Sequence, residues 1–128
     1  MLSAPILEFG FDEVAKRVIF HGGHHLDGAN FHVIAALIEN FREAKRQRAD
    51  VPFLPANELA DRLGVSDQSM RQQLGRLRKA LVPLTVALGI PMDQDSFVQT
   101  KERAGYRMNP ECREVAVGDI RVGSEIKP

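Results

Sequence analysis

One glycine between two amphipathic segments constrains this chain most. Residues 56–63 place Leu59, Ala60 and Leu63 on one face, and Gly64 follows, the residue type that most readily ends a helix in the left-handed region. Val65 can pack under the resulting turn. Ser66 is a good N-cap for a new helix, and Asp67 adds a negative charge to its first turn. From Asp67 to about Leu81, Met70, Leu74, Leu77 and Leu81 form a single apolar stripe. Two amphipathic helices joined through Gly-Val-Ser is the grammar of a helix-turn-helix. Pro83 predicts an end or a kink of the second helix.

Short strands are expected on the N-terminal side. Ile6, Phe9 and Phe11 form an apolar run without helical caps, and Val18-Ile19-Phe20 is β-branched and aromatic. His21-Gly22-Gly23-His24 reads as a hairpin turn, with His25-Leu26 returning the chain. Asp27 then stands as N-cap of a helix whose Ile34, Leu37, Ile38 and Phe41 share one face. The cluster Arg42, Lys45, Arg46 and Arg48 lies at its C-terminal end, where the dipole favours cations. Residues 49–55 form a connector with two prolines, and Val51 to Leu54 could add an extended stretch. Beyond Pro83, Leu84–Leu88 reads as a short extra helix within a loop reaching residue 95. Phe97, Val98 and Thr100 suggest a strand, and Tyr106-Arg107-Met108 its partner. Residues 109–128 are polar with scattered valines and Ile120, which suggests an extension or linker beyond a domain covering 1–108.

With 128 residues, 44% of them hydrophobic and 27% charged, the chain has material for one domain with a core. No apolar run approaches the ~18 residues of a membrane span, and the N-terminus lacks the pattern of a secretory signal. A single cysteine, Cys112, offers no internal disulfide framework, so a reducing, cytoplasmic setting is expected. Net charge is zero, which disfavours coating nucleic acid by bulk charge. The charge is unevenly placed, however. Residues 1–30 are net acidic, whereas 62–107 carry Arg62, Arg71, Arg76, Arg78, Lys79, Lys101, Arg103 and Arg107 against four acids. A neutral protein with one basic region can present that region to a polyanion.

The outward side of the second helix-turn-helix helix is centred on Gln72. It takes in Gln68, Arg76, Lys79 and Gly75, with Ser69 and Arg71 on the flanks. Glutamine pairs bidentately with adenine, and arginine with guanine, at base edges in the major groove. Ser69 can donate to a phosphate near a helix N-terminus. The segment from Lys101 to Arg107 is a basic hairpin turn. Lys101 or Arg103 at its tip suits the negative potential of a minor groove. An ordinary solvated face is the competing reading of both groups. His21, His24, His25 and His32 match no closed metal site, so a surface hairpin carrying histidines is the expectation. Cys112 lies beside Arg113 but between Glu111 and Glu114, which favours the neutral thiol. Asp93 and Asp95 lack organised partners, and Gly22-Gly23 lacks the Lys-Ser/Thr of a phosphate loop. No enzymatic constellation, metal or cofactor is therefore expected.

On these residues the chain resembles the winged-helix effector domain of OmpR/PhoB-type response regulators, over roughly residues 6–108. Leu26-Asp27-Gly28-Ala29-Asn30-Phe31 looks like the family's Leu-Thr-Pro-x-Glu-Phe, and Glu58-Leu59-Ala60 resembles its second helix. Arg76-Leu77-Arg78-Lys79-Ala80-Leu81 is close to Arg-Leu-Arg-Lys-Lys/Ala-Leu. Thr100 and Gly105-Tyr106-Arg107 match the entry and close of the wing. The resemblance implies an α+β winged helix-turn-helix with a small N-terminal antiparallel sheet, three main helices and a C-terminal β-hairpin wing. It implies sequence-specific double-stranded DNA binding by a bacterial transcription regulator, with residues 67–81 in the major groove and 97–108 at the minor groove. Contacts carry over to Gln68, Ser69, Gln72, Gln73 and Arg76, with Arg78 toward the backbone. Arg71, Lys79, Lys101, Arg103 and Arg107 complete the expected site. Further partners open to such a chain are a second copy on repeated half-sites, and RNA polymerase or a separate regulatory protein. The alternative class is a winged-helix protein–protein adaptor that binds no DNA. Glu102-Arg103 stands where the family has Arg-Gly, so a different wing turn is expected. The loop at 82–95 is longer than usual, and Gly75 replaces a residue that is usually larger. No receiver domain precedes the domain, which leaves a stand-alone regulator or a piece of a longer chain.

Overall fold

The computed structural model describes residues 7–88 and 97–121. Three strands come first: β1 (Glu8–Asp12), β2 (Arg17–Phe20) and β3 (His25–Leu26). Three helices follow: α1 (Gly28–Arg46), α2 (Ala56–Leu63) and α3 (Asp67–Leu88). The hairpin β4 (Val98–Lys101) and β5 (Gly105–Met108) comes next, and β6 (Arg113–Val115) precedes a 3₁₀ turn at Val117–Asp119. This is the expected α+β arrangement of N-terminal sheet, three helices and C-terminal hairpin.

Alternation decides which side of the N-terminal sheet is buried. β1 pairs antiparallel with β2, Phe9 opposite Phe20 and Phe11 opposite Val18, and Val18 in turn faces Leu26 of β3. Phe9, Val18 and Phe20 are fully buried, as are Val33, Ile34, Leu37 and Ile38 of α1. The rings of Phe9 and Phe20 both meet Phe97 edge-on, at 5.7 and 5.4 Å between centroids. One aromatic residue just ahead of β4 thus joins the second sheet to the core of the first.

The sequence expectations need four revisions. Asp27 is the residue before α1, but its side chain makes no capping hydrogen bond; its carboxylate stands 3.4 Å from His25 Nε2. Second, α3 does not stop before Pro83, and no separate helix begins at Leu84. Pro83 removes one backbone bond, but Leu77, Leu81 and Leu84 remain buried on one stripe, so packing carries the helix through. Residues 89–95 of the expected loop, with Asp93 and Asp95, lie outside the described residues, as does Ile6.

Third, Met108 does not end the packed structure. β6 adds to the outer edge of β1, parallel, with Glu8 opposite Arg113 and Gly10 opposite Val115. The sheet order is β3-β2-β1-β6, so the N-terminal sheet is antiparallel only until the tail joins it. Fourth, residues 109–121 are therefore no linker: Cys112 and Ile120 are buried. Arg42 of α1 fastens this tail through Nε to Glu114 Oε1 at 2.8 Å and through Nη2 to Glu114 Oε2, and reaches Glu13 at 3.2 Å. The bond to Glu114 raises the Arg42 pKa further above the physiological range. Burial and the nearby Glu111 push the Cys112 thiol up to about 12, so it is a neutral, packed side chain. Residues 122–128 lie outside the described residues.

Candidate nucleic-acid interface

The helix-turn-helix follows its local rules residue by residue. α2 ends at Gly64, which takes the left-handed conformation at φ 70° and ψ 30°. The Val65 N–H donates to the Ala60 carbonyl at 3.0 Å, and Val65 packs against the core. Ser66 caps α3 by accepting the Ser69 N–H on its hydroxyl at 3.1 Å. His32 of α1 adds a contact from Nε2 to the Leu63 carbonyl at 3.3 Å, at the C-terminal end of α2, where carbonyls lack a helical partner.

Met70, Leu74, Leu77 and Leu81 of α3 are buried, as the periodicity predicts. Gln68, Arg71, Gln72, Gly75, Arg76 and Lys79 are exposed, so the structure brings most of the expected helix residues onto one open face. Ser69 and Gln73 are half-buried and tied together, Gln73 Nε2 donating to Ser69 Oγ at 3.2 Å. Arg78 departs from the row. At about 100° per residue it lies about 40° from Leu74, and it is half-buried rather than open. Its Nε and Nη2 are buried and have no hydrogen-bond partner among the described residues.

The hairpin divides its cations in the same way. Lys101, Glu102 and Arg103 are exposed at the tip. The turn closes through the Ala104 N–H to the Lys101 carbonyl at 3.0 Å, and Arg103 occupies the left-handed region at φ 67°. Arginine thus fills a conformation that favours glycine. Arg107, in contrast, is used within the fold. It donates from Nε to Gln99 at 2.7 Å and from Nη1 to the Val51 carbonyl at 2.8 Å, with its guanidinium 4.2 Å from the centre of the Phe53 ring. It braces the hairpin against the connector before α2, which removes it from the list of open cations.

Gly105 explains why the connector can come so close. Leu54 and Tyr106 exchange two backbone hydrogen bonds, of 2.7 and 2.9 Å, so Leu54 adds a one-residue bridge to the hairpin. A Cβ on Gly105 would overlap the Leu54 carbonyl, and its φ of 121° also excludes ordinary side chains. Sequence reasoning missed Phe53, which carries Arg107 on its ring face. The available signal was a lone aromatic residue between Pro52 and Pro55, in a connector whose Val51 to Leu54 could add an extended stretch.

Among the described residues no group of three or more His, Cys, Asp or Glu side chains is placed to hold a metal ion. No described helix is long and apolar enough to cross a membrane. Comparison with protein-family models, with curated proteins and with solved structures gives no match for this chain.

Proposed function

We propose that this chain is a sequence-specific double-stranded DNA-binding domain of a bacterial transcription regulator. The carrying observation is the exposed row Gln68, Gln72, Arg76 and Lys79 on the second helix of a helix-turn-helix, back to back with a fully packed stripe. These side chains have the donors and acceptors that read adenine and guanine edges in a major groove. The exposed Lys101 and Arg103 supply charge at a hairpin tip, the element that a winged helix lays along the neighbouring minor groove.

Selection from a random duplex pool, followed by a salt titration on the selected site, tests the reading. Affinity is expected to fall steeply with salt, with a log–log slope near 0.9 for each phosphate neutralised. One observation favours the adaptor alternative. Val82 and Val86 are 46% and 63% exposed on the second half of α3, an apolar continuation of the same helix. Failure to enrich any duplex, with no salt-dependent binding, would favour that alternative.

A further inference from the structure

The tail closes over the outer face of the N-terminal sheet. Gly10 of β1 pairs with Ile19 of β2 there, and Ile120 is buried above them. A Cβ on Gly10 would lie 3.1 Å from Ile120 Cγ1 and 3.3 Å from Val117 Cα. The tail can therefore seat this closely only because residue 10 has no side chain.

The far end of the tail is fastened at the Gly22-Gly23 turn. The Gly22 N–H donates to the Arg121 carbonyl at 2.6 Å. The Arg121 N–H donates to His21 Nδ1 at 3.0 Å, and His21 Nε2 lies 2.8 Å from Glu8 Oε1. These contacts fix the proton on the ring. Nδ1 accepts an N–H, so it must hold a lone pair, and the single hydrogen of a neutral imidazole then sits on Nε2 and is donated to Glu8. A doubly protonated ring keeps its bond to Glu8 but turns an N–H toward the Arg121 N–H. One of the fastenings is then replaced by a repulsion.

We propose that His21 is an acid-sensitive latch: the neutral ring holds residues 116–121 over the sheet, and protonation frees the Arg121 end and uncovers Gly10 and Ile19. The groups facing the ring set its response. Glu8 on β1 is its acidic neighbour, and Arg113 on β6 lies 3.5 Å from the other Glu8 oxygen. His24 folds over Gly22 in the same turn, where a Cβ on Gly22 would lie 3.3 Å from its ring, and Arg121 adds a positive charge on the tail itself. Closure is present while the ring is neutral and is lost when Nδ1 takes up a proton. This inference is independent of the DNA-binding reading.

Nitrogen NMR of the His21 ring and amide exchange on the intact chain test it, between about pH 8 and about pH 6. The expected result is an Nε2–H tautomer at the higher pH. Protection of the Arg121 and Gly22 amides, corrected for intrinsic exchange, should fall about tenfold in step with ring protonation. The Phe20 amide, bonded to the His24 carbonyl at 2.8 Å within the hairpin, should keep its protection. An Nδ1–H tautomer at high pH, or Arg121 protection that ignores the ring, would overturn the latch. In His21→Gln the pH dependence should vanish; its persistence would also overturn the proposal. Should that variant fail to fold, the wild-type tautomer and amide data decide alone.

Discussion

Arg71 and Arg76 on the open face of α3, and Arg107 of the hairpin with Arg42 of α1, are the same residue type put to opposite uses. Arg71 and Arg76 are exposed on one helix face. Arg107 instead braces the connector through Val51, Gln99 and Phe53, and Arg42 ties the tail to α1 through Glu114. Counting basic residues therefore overstates the charge available to a polyanion. Periodicity separates open from core-facing positions on a helix, but which cations a loop or strand consumes depends on carbonyls and rings that arrive from elsewhere in the chain. The comparison predicts that the two groups fail differently. Helix cations should matter for binding and little for stability, and braced cations should do the reverse.

The hairpin's attachment to the connector is where the largest effect is expected. Gly105→Ala places a methyl group into the Leu54 carbonyl at a φ of 121°. It should cost at least about 3 kcal/mol in unfolding free energy, because a backbone acceptor cannot step aside as a side chain can. Urea denaturation reads this directly. A loss under about 1 kcal/mol would mean that the connector and hairpin separate easily, and the brace would lose its importance.

Next comes the paired test of the two arginine classes. Arg107→Ala should lower stability by about 2 kcal/mol, since it leaves the Val51 carbonyl and the Phe53 face without their partner. Arg76→Ala should change stability by no more than about 0.5 kcal/mol. It should weaken binding to a selected duplex by about 1–3 kcal/mol if the side chain makes a bidentate base contact. Matched denaturation and binding titrations on both variants give a two-by-two outcome. Equal behaviour of the two in both assays would erase the distinction.

The same physics explains how much of the molecule could be read in advance. The boundaries of α2, the left-handed Gly64 and the Ser66 cap depend on neighbours within a few residues, and the sequence announces them. The hairpin at Gly22-Gly23 and the pairing of β4 with β5 are local in the same sense. The attachment of β6 to β1 joins Arg113 to Glu8 across the whole chain, and no periodicity marks it. Pro83 misled for a related reason. Its local cost is plain, but the burial of Leu84 that outweighs it is tertiary. Of the candidate site, the exposed helix row was legible, whereas Arg78, Arg107 and Phe53 were not, because their environments are assembled by other elements.

Arg103 sharpens the comparison at the hairpin tip, where side chain and backbone pull apart. Its φ of 67° costs an L-residue about 1 kcal/mol that glycine would not incur. Arg103→Gly should therefore raise stability by about that amount while lowering affinity for the selected duplex and reducing the salt slope by about one phosphate. Calorimetry and a salt series on the same variant separate the two effects. Unchanged affinity and slope would place the tip away from the DNA.

Gly75 gives the finest test of the open helix face. Glycine within a helix costs about 1 kcal/mol relative to alanine, so its presence in the middle of α3 calls for a reason. A Cβ at this position would meet nothing within 4 Å, so no packing within the described fold requires glycine. Gly75→Ala should accordingly stabilise the protein by about 1 kcal/mol. If the groove wall of a bound duplex approaches the helix backbone at this point, the gain will not carry over to binding. Affinity should then stay level or fall for Ala and fall strongly for Gly75→Leu, whose side chain would hold the helix away. If the duplex does not approach here, both variants should bind as the parent does, and the glycine would only be tolerated on a solvated face. Melting curves establish that each variant is folded, and duplex titrations then decide. A folded Leu variant with undiminished affinity would remove Gly75 from the contact face and leave Gln72 and Arg76 to define it.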